Sequence, residues 1–279
     1  MAAIDLNTFK EKLEKDSKSF LSFDPYPCIV LDNFLNKEYL EGIGDELRAL
    51  VNKKKDSIFN PFIHLNARVW GTIRREGFSP RMNEIVDTFQ SPDFLDYLGD
   101  LTQIKGLIAD TELITGGYVV HKQKGFVNLH VDHRTHPQEK KWSRKVLLLY
   151  YLNDDYEDSY NGQLELWDKE AKKMHNKIAP LYNRCVIQTI DDGYIHGLPE
   201  TINFPEGDCR KALVLWFYVE EENELPLKVT KYYSRPVDPI LKKMIIHSEN
   251  ILLHIHYVVK RIFGMDDGLY IKIQKFFRK

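Results

Sequence analysis

The sequence predicts an α+β protein in which helices precede an all-β core and one long helix follows it. Three observations lead to this prediction. Between about residues 106 and 220, short β-rich apolar runs alternate with segments of Gly, Asn, Asp and Pro, which is typical of a β-sandwich or barrel. Before residue 106, apolar residues recur mainly at helical spacing. Residues 238–264 form a longer run of the same kind.

The elements of this fold follow in chain order. Residues 7–21 carry a weak helical pattern, residues 26–35 read as a short strand entering a turn, and residues 36–51 predict a helix with Asn36 as its N-cap. Residues 82–101 predict a further helix. Six strands are predicted in the β-rich region, at the stretches LITGGYVVHKQ, FVNLHVD, KVLLLYYLN, GQLELWD, RCVIQTI and KALVLWFYV.

The C-terminal part of the chain differs from the rest in charge. Between Lys228 and Lys279 there are 11 Lys and Arg against 4 Asp and Glu, although the whole chain has a net charge of −2. Within this part, Asp238 and Pro239 predict the start of the long helix and Gly264 predicts its end.

Composition excludes several classes of protein. The near-balanced charge argues against a nucleic-acid partner for the protein as a whole. Three widely spaced cysteines form neither a disulfide framework nor a CxxC metal motif, which favours a reducing compartment. The N-terminal stretch MAAIDLNTFKEKLEKDS has charges where a signal peptide needs an apolar run, and no apolar stretch approaches the ~20 residues that span a bilayer. We therefore expect a cytoplasmic protein.

A pair of metal-ligating residue types lies in the stretch FVNLHVDHRTHP. Side chains alternate between the two faces of a strand, so His130 and Asp132 point the same way, together with Asn128. An imidazole and a carboxylate placed side by side can occupy neighbouring positions around a divalent metal. A third ligand has to come from elsewhere in the fold.

His196 is the candidate third ligand, because it follows the predicted strand RCVIQTI and precedes a Gly and a Pro. Two histidines and a carboxylate suit non-haem Fe(II) oxygenases, but the same ligand types serve in zinc hydrolases. Arg210, 14 residues later, opens the next predicted strand. An arginine in an apolar pocket needs a carboxylate partner, which favours a ligand with one carboxylate for Arg210 and a 2-oxo acid for the metal. A zinc hydrolase would leave Arg210 unexplained.

The order His130-x-Asp132, His196 and Arg210 resembles the motif set of the Fe(II)/2-oxoglutarate-dependent dioxygenases. The resemblance covers roughly residues 26–220 and is closest to the prolyl-4-hydroxylase-like oxygenases. PCIVLDNFL resembles the strand and turn with which those domains open. LLLYYLNDDY followed by NGQLELW resembles their second core strand and the Gly-containing turn into the next.

The resemblance implies roles for further residues. Tyr151 would contact the tail of 2-oxoglutarate, Leu149 would lie on the same face of its strand, and Leu198 would pack against the co-substrate. Tyr118, on the strand before the HxD pair, is the candidate for an aromatic residue that lines the pocket, with Gln123 as its alternative.

The resemblance also implies the fold and the chemistry. It implies a double-stranded β-helix, or jelly-roll, core with flanking helices. It implies Fe(II) as metal, 2-oxoglutarate and O2 as co-substrates, and ascorbate as a candidate reductant. The enzyme would release succinate and CO2 and hydroxylate a substrate C–H bond, while the protein supplies positioning. A non-catalytic jelly-roll binding protein is the alternative from another class; it would need a broken ligand set, and none is broken here.

Other polar and aromatic residues near the site receive other interpretations. His133 and His136 lie beyond the strand end, so we expect them in a loop over the pocket mouth, facing substrate together with Arg134. We expect His121 to be a strand residue with satisfied hydrogen bonds and Trp216 to be part of the core.

The motifs define the reaction better than the substrate. On general resemblance and the basic tail, one candidate group is the Kdo hydroxylases, which act on the acidic sugar of the lipopolysaccharide inner core. A lipid-linked sugar would then be the substrate, with Arg134, His136 and Lys141 as contacts of its carboxylate. The alternative is a proline hydroxylase that acts on a peptide or protein.

The predicted domain organisation follows from these points. Residues 1–225 form the dioxygenase domain, with a helical N-terminal part and the jelly-roll core at about 106–220, and residues 226–279 form a basic, apolar helical extension. Residues 238–279 either pack on the core or on another subunit, giving an oligomer, or dock on an anionic leaflet at the inner membrane face.

Overall fold

The computed structural model describes residues 4, 6–52, 59–73, 75–226 and 230–263. Its helices are α1 (Leu6–Leu21), α2 (Lys37–Leu40), α3 (Ile43–Asn52), α4 (Pro80–Gln90), α5 (Pro92–Thr102) and α6 (Ile240–Phe263). Its strands are β1 (Cys28–Asp32), β2 (Phe59–His64), β3 (Ala67–Ile73), β4 (Ile108–Ala109), β5 (Gly117–His121), β6 (Phe126–Val131), β7 (Trp142–Tyr151), β8 (Leu164–Trp167), β9 (Met174–Ile178), β10 (Arg184–Thr189), β11 (Ile195–Leu198), β12 (Arg210–Glu220) and β13 (Lys231–Tyr233).

All the strand pairs in the described residues are antiparallel and join into one curled sheet. Along the sheet the strands run in the order β1-β10-β7-β12-β5-β3-β6-β11-β8-β9. Three strands lie off this path: β2 pairs with β3, β4 with β12 and β13 with β6. The curl gives the sheet an inner and an outer face, and the predicted jelly-roll core is confirmed.

Alternation along β7 and β12 separates two apolar layers. On β7, Leu147, Leu149 and Tyr151 point into the curl, whereas the residues between them pack outward with the helices. The same alternation holds on β12, where Leu213 packs outward and Trp216 inward. Because both faces are buried, these strands are nearly continuous apolar runs, which is why their sequences predicted strands clearly.

Two predicted helices are each divided in the structure. The helix predicted over 36–51 is interrupted at Gly42, whose φ of +79° is a backbone conformation that favours glycine. The helix predicted over 82–101 is interrupted at Ser91, which ends α4 and caps α5 by accepting a hydrogen bond from the Phe94 amide. Pro92 follows at the first position of α5, where its missing N–H costs no helical hydrogen bond.

The segment after β12 returns to the sheet. β13 pairs with β6 and sets Tyr232 opposite His130. The long C-terminal helix was predicted correctly as α6, and it packs on this region through the buried side chains of Ile246 and Glu249. Its opposite side leaves apolar side chains exposed. Residues 264–279, including the predicted stop at Gly264 and the basic end of the chain, lie outside the described residues.

Glu249 anchors α6 through a buried polar cluster. Its carboxylate lies 3.1 Å from Nδ1 of His64 and accepts a hydrogen bond from Asn66, while Nε2 of His64 lies 3.2 Å from the Tyr232 hydroxyl. We expect Glu249→Ala to lower the free energy of unfolding by about 3 kcal/mol, because it leaves buried donors without their acceptor. Urea denaturation measures this change.

Ser248→Ala is the matched control, since Ser248 is the neighbouring residue on the exposed side of α6. It should change the free energy of unfolding by less than about 0.5 kcal/mol. An equal loss in both variants would contradict an anchoring role for Glu249.

In the part of the chain that the structure describes, no helix has both the length and the apolar character that crossing a bilayer requires.

Candidate metal centre and co-substrate pocket

A cavity of about 420 Å³ opens inside the curl of the sheet. Its walls are largely apolar, with a few polar groups pointing inward, as is usual for sites of small molecules. His130, Asp132 and His196 line one wall, and Arg210 lines the same cavity.

The three residues predicted as ligands converge on one point. Nε2 of His130 lies 3.6 Å from one carboxylate oxygen of Asp132, and Nε2 of His196 lies 3.2 Å from the other. One candidate ligand atom from each residue lies within 4.8 Å of the other two. Within the described residues, this is the one group of His, Cys, Asp or Glu side chains with the spacing of a metal site.

The hydrogen bonds of the two imidazoles leave lone pairs directed at this point. Nδ1 of His130 lies 3.0 Å from the Asn128 carbonyl, which can accept only if Nδ1 carries the proton. Nδ1 of His196 lies 3.4 Å from the Tyr194 carbonyl and 3.5 Å from Nε2 of Gln188, and the shorter contact, to the carbonyl, corresponds to the same tautomer. In that tautomer Nε2 is an acceptor that faces a carboxylate, and Oδ2 of Asp132 is buried without a hydrogen-bond partner among the described residues. Acceptors that face each other this way fit a cation between them.

Electrostatics agree with a cation site. Burial raises the pKa of Asp132, but the charge and hydrogen bonds of the two imidazoles in their protonated form outweigh burial and hold its pKa well below the ordinary value, so this carboxylate favours positive charge beside it. Burial lowers the pKa of His130, and the carboxylate of Asp132 outweighs it, so the net shift is upward. The site therefore keeps an ionised carboxylate in a buried position.

Gly197 explains how β11 brings His196 to this wall. The register between β11 and β6 shifts between His196 and Leu198, and His196 lies opposite His130. A Cβ atom at Gly197 would lie 2.9 Å from the backbone oxygens of Val127 and Asn128. Only glycine allows the two strands to approach this closely, so Gly197, the glycine that follows His196, is a structural requirement of the site.

Arg210 is the buried cation at another part of the cavity. Its side chain is nearly inaccessible, its Nε donates to the Gly162 carbonyl at 2.8 Å, and its guanidinium carbon lies 5.0 Å from the centre of the Tyr151 ring. No carboxylate among the described residues lies within 4.0 Å of it, so within this part of the chain its charge is unpaired. Burial lowers the pKa of Arg210, because no carboxylate among the described residues offsets the cost of burying its charge.

Gly162 makes room for this arginine. Its φ is +84°, and an added Cβ would lie 2.9 Å from Cδ of Arg210. The glycine of the GQLELW stretch therefore serves both the turn and the packing of the guanidinium stem.

Several buried polar atoms beside Arg210 lack hydrogen-bond partners among the described residues. They include both ring nitrogens of His121 and the hydroxyl of Tyr151. His121 pairs directly with Arg210 across β5 and β12, and it lines the cavity. Burial, with a smaller effect of Arg210, lowers the pKa of His121 well below its ordinary value, so its imidazole is neutral. A ligand carboxylate would satisfy the arginine and these orphaned atoms together.

The structure brings most of the predicted co-substrate residues together. Leu149 and Leu198 line the cavity, and Tyr151 lies beside Arg210. Tyr118 needs correction, because it points to the helix side of the sheet, where its hydroxyl donates to the Met82 carbonyl at 3.1 Å. Alternation along β5 instead turns Val119 and His121 into the cavity.

The predicted substrate contacts are not brought to the cavity. Arg134 pairs with Asp191 at 3.0 Å, and Lys141 is exposed in the turn before β7. The ring of His136 is buried 5.1 Å from that of Tyr218, and its Nδ1 accepts from the Glu139 amide. The chain turns away from the cavity after Asp132, so of the residues that follow Asp132 in this loop only His133 lines the cavity.

Several polar or aromatic residues of the cavity are not predicted from the sequence, and four of them are His121, Trp216, Arg144 and Tyr232. His121 was interpreted as satisfied and Trp216 as core, and neither Arg144 nor Tyr232 was singled out. A signal was present for His121, since it is a polar residue within the otherwise apolar run GYVVH. Tyr232 belongs to a strand of three residues, too short for a pattern.

Residues 116–218 match the profile of the family described as the 2OG-Fe(II) oxygenase superfamily. The matched region contains all three candidate ligands and Arg210, and it ends before β13 and α6. A comparison with curated protein sequences found no match.

The fold is similar to that of solved prolyl hydroxylases at low sequence identity. The prolyl-4-hydroxylase of Pseudomonas putida has 15% identity and a TM-score of 0.51, over 75% of this chain and 99% of that one. A prolyl 4-hydroxylase from Phytophthora capsici has 17% identity and a TM-score of 0.54, over 97% of this chain and 81% of that one. A prolyl hydroxylase from Trichoplax adhaerens, solved with a peptide fragment of hypoxia inducible factor, has 16% identity and a TM-score of 0.51, over 76% of this chain and 91% of that one.

The profile match relates residues 116–218 to the 2OG-Fe(II) oxygenase superfamily, and the structural neighbours are prolyl-4-hydroxylase-like. The protein is a 2-oxoglutarate-dependent dioxygenase, and its cofactor and co-substrates are Fe(II), 2-oxoglutarate and O2.

Proposed function

We propose that His130, Asp132 and His196 hold Fe(II) and that Arg210 binds the far carboxylate of 2-oxoglutarate, so that the enzyme hydroxylates a C–H bond of a substrate in the same cavity. One observation supports both halves of this proposal. A set of three converging ligand atoms and a buried arginine, which has no carboxylate partner in the part of the chain that the structure describes, line one cavity. Two histidines and a carboxylate leave coordination positions open for co-substrates.

The iron supplies the oxidative chemistry when it is bound: one oxygen atom of O2 enters succinate as 2-oxoglutarate loses CO2, and the other enters the substrate as a hydroxyl group. The protein supplies the positions of the reactants. Arg210 fixes the tail of 2-oxoglutarate, with His121 and Tyr151 as hydrogen-bonding neighbours. Leu149 and Leu198 pack along the co-substrate and exclude water from it.

The neutral state of His121 matters to this arrangement. A neutral imidazole donates from one ring nitrogen only, so it can give a hydrogen bond to a carboxylate without adding a second buried charge beside Arg210. The depressed pKa keeps it in that state throughout the neutral pH range.

The two substrate classes predicted from the sequence remain proposals. The acidic sugar Kdo, in a lipid-linked form, requires a cation that faces the substrate. A prolyl peptide requires a groove for an extended chain, and similarity to prolyl hydroxylases supports this class through the fold alone. We favour an acidic substrate of small size, because the cavity contains a second buried arginine, Arg144, besides Arg210.

Contact with an anionic membrane, at the inner face of a membrane, also remains a proposal. Its support is the exposed apolar side of α6, with Lys242 and Lys243 near the start of the helix. The exposed apolar residues on this side are Ile240, Leu241, Met244, Ile251, Leu252 and Ile255. An oligomer formed through the same side of α6 is the competing proposal.

Succinate release tests the proposed reaction. The full-length protein with Fe(II), 2-oxoglutarate and ascorbate should release succinate, and release should rise with the right member of a panel of acidic sugars, lipid-linked sugars and proline peptides. Omission of Fe(II) or O2 should stop it. Absence of any iron-dependent succinate release, with or without the panel, would contradict the proposal.

A further inference from the structure

Arg144 is a buried cation on the cavity wall that binds neither the metal nor 2-oxoglutarate in the proposed reaction. It lies on β7, its side chain is almost completely buried, and it lines the cavity together with His133 and Trp216. A buried guanidinium stays charged, and a buried charge without an opposite charge is costly. Its contacts therefore indicate what the cavity is built to receive.

The residues that the structure describes satisfy only part of the hydrogen-bonding capacity of Arg144. Its Nε donates to the Tyr218 hydroxyl at 3.2 Å, and one terminal nitrogen donates to the His133 carbonyl at 3.3 Å. The face of the guanidinium lies 4.2 Å from the centre of the Trp216 ring. Because a guanidinium has five N–H groups, three remain for a ligand, and both protein acceptors are neutral.

No carboxylate among the described residues lies within 4.0 Å of Arg144. The nearest acidic group in its hydrogen-bond network is Asp110, which is separated from it by Thr115 and Tyr218. The carboxylate of Asp110 is already engaged by the amide and hydroxyl of Thr115. By contrast, Arg75, which also lines the cavity, pairs with Asp87 at 2.7 Å.

A β-bulge directs Arg144 into the cavity. Along β7, Val146, Leu148 and Tyr150 face the helices, so strict alternation would turn Arg144 the same way. The register between β7 and β12 shifts at this point, where Tyr218 pairs with Arg144 and the next pair joins Phe217 to Val146. The extra residue, Lys145, changes the face on which Arg144 lies. Bulges re-aim side chains in this way beside active sites.

The position of Arg144 separates it from the 2-oxoglutarate site. Its acceptor, the His133 carbonyl, belongs to the residue directly after Asp132, so Arg144 lies on the metal side of the cavity. Its other partner, Tyr218, is eight residues along β12 from Arg210, which corresponds to roughly 26 Å between their Cα atoms. Arg144 therefore lies towards the other end of the cavity from Arg210, on the side of the metal ligands.

We infer that the substrate carries an oxyanion, a carboxylate or a phosphate, which Arg144 binds beside the metal centre while Trp216 supports the guanidinium plane. This inference rests on the proposed function, because it takes the Arg210 end of the cavity to be filled by 2-oxoglutarate. It replaces Arg134, His136 and Lys141 as the residues that recognise an acidic substrate.

Compact anions test the site without knowledge of the whole substrate. The full-length protein is labelled with 5-fluorotryptophan, loaded with Zn(II) and N-oxalylglycine, and titrated with acetate, methyl phosphate or neutral acetamide. The ¹⁹F resonance of Trp216, assigned with Trp216→Phe, reports on its neighbour Arg144. We expect saturable shifts with the anions and none with acetamide. The anion that binds more tightly indicates whether the charged group of the substrate is a carboxylate or a phosphate.

Variants separate Arg144 from the other cations. Arg144→Gln should weaken anion binding at least tenfold, Arg144→Lys should retain part of it, and Arg134→Gln should leave it unchanged. An equal response to acetate and acetamide, no saturable shift with either anion, or full binding in Arg144→Gln would overturn the inference. If Arg144→Gln does not fold, the comparison of acetate with acetamide in the unsubstituted protein decides.

The titration involves no turnover, so its result is independent of the succinate assay. Binding of Zn(II) and N-oxalylglycine is checked before any anion is added. Loss of that binding would count against the proposed function, whereas loss of the anion response alone would count against the role of Arg144.

Discussion

His196→Ala should reduce metal affinity by more than about 100-fold and lower succinate release to the level of the metal-free protein. The physical reason is that His196 supplies one of three ligands and that its Nε2 lies 3.2 Å from the carboxylate of Asp132. Two remaining ligands at the end of β6 cannot close the site, and loss of even an outer-sphere partner of a metal ligand typically costs 10- to 100-fold in affinity. Calorimetric titration with Fe(II) under anaerobic conditions measures the first effect.

His175→Ala is the matched control for this experiment. His175 lies on β9, is bonded to Asp24 and does not line the cavity. This variant should bind Fe(II) and release succinate as the unsubstituted protein does. Retention of full metal affinity in His196→Ala would refute the assignment of His196 as a ligand.

Arg210→Gln should raise the KM for 2-oxoglutarate by roughly 30-fold or more and leave Fe(II) affinity within about threefold. Removal of one partner of a buried charge pair costs about 2–5 kcal/mol, and 2 kcal/mol corresponds to the lower limit of that change. The metal ligands do not contact Arg210 directly, so the two constants should separate. Steady-state kinetics against 2-oxoglutarate and a metal titration provide the two measurements.

Arg184→Gln is the control for loss of an arginine, because Arg184 pairs with Asp32 at the surface of the sheet. It should leave the KM for 2-oxoglutarate unchanged.

Gly162→Ala should raise the KM for 2-oxoglutarate, as Arg210→Gln does, since a Cβ there would displace Cδ of Arg210. A parallel loss of metal affinity and 2-oxoglutarate affinity in Arg210→Gln would show a general disturbance of the cavity rather than a loss of the carboxylate anchor.

Much of the site was predictable because its signals are local or follow chain order. Alternation along β6 selected His130 and Asp132 from a stretch with several polar residues. His196 follows one predicted strand and Arg210 begins the next. Both could therefore be predicted without knowledge of the order of the strands in the sheet. The apolar runs of β7 and β12 predicted strands correctly because these strands are buried on both faces.

The errors have identifiable physical causes. Tyr118 was assigned to the wrong face because the turn between β5 and β6 breaks the alternation, so spacing from His130 says nothing about orientation on β5. Arg144 was missed because the bulge at Lys145 reverses the alternation on β7. The hairpin of β2 and β3 was missed as well; it contains Pro61 and several charged or polar residues and lacks a clear alternating pattern.

The pairing of β13 with β6 has a consequence for the choice of expression boundaries. The family match ends at residue 218, and a chain cut shortly after it would retain every candidate metal ligand and Arg210. It would also expose the backbone donors and acceptors of Leu129–Val131 that β13 now occupies, beside His130. An unprotected strand edge invites pairing with other chains, so such a truncated protein should aggregate. We therefore expect the smallest autonomous unit to include β13 and the packed half of α6.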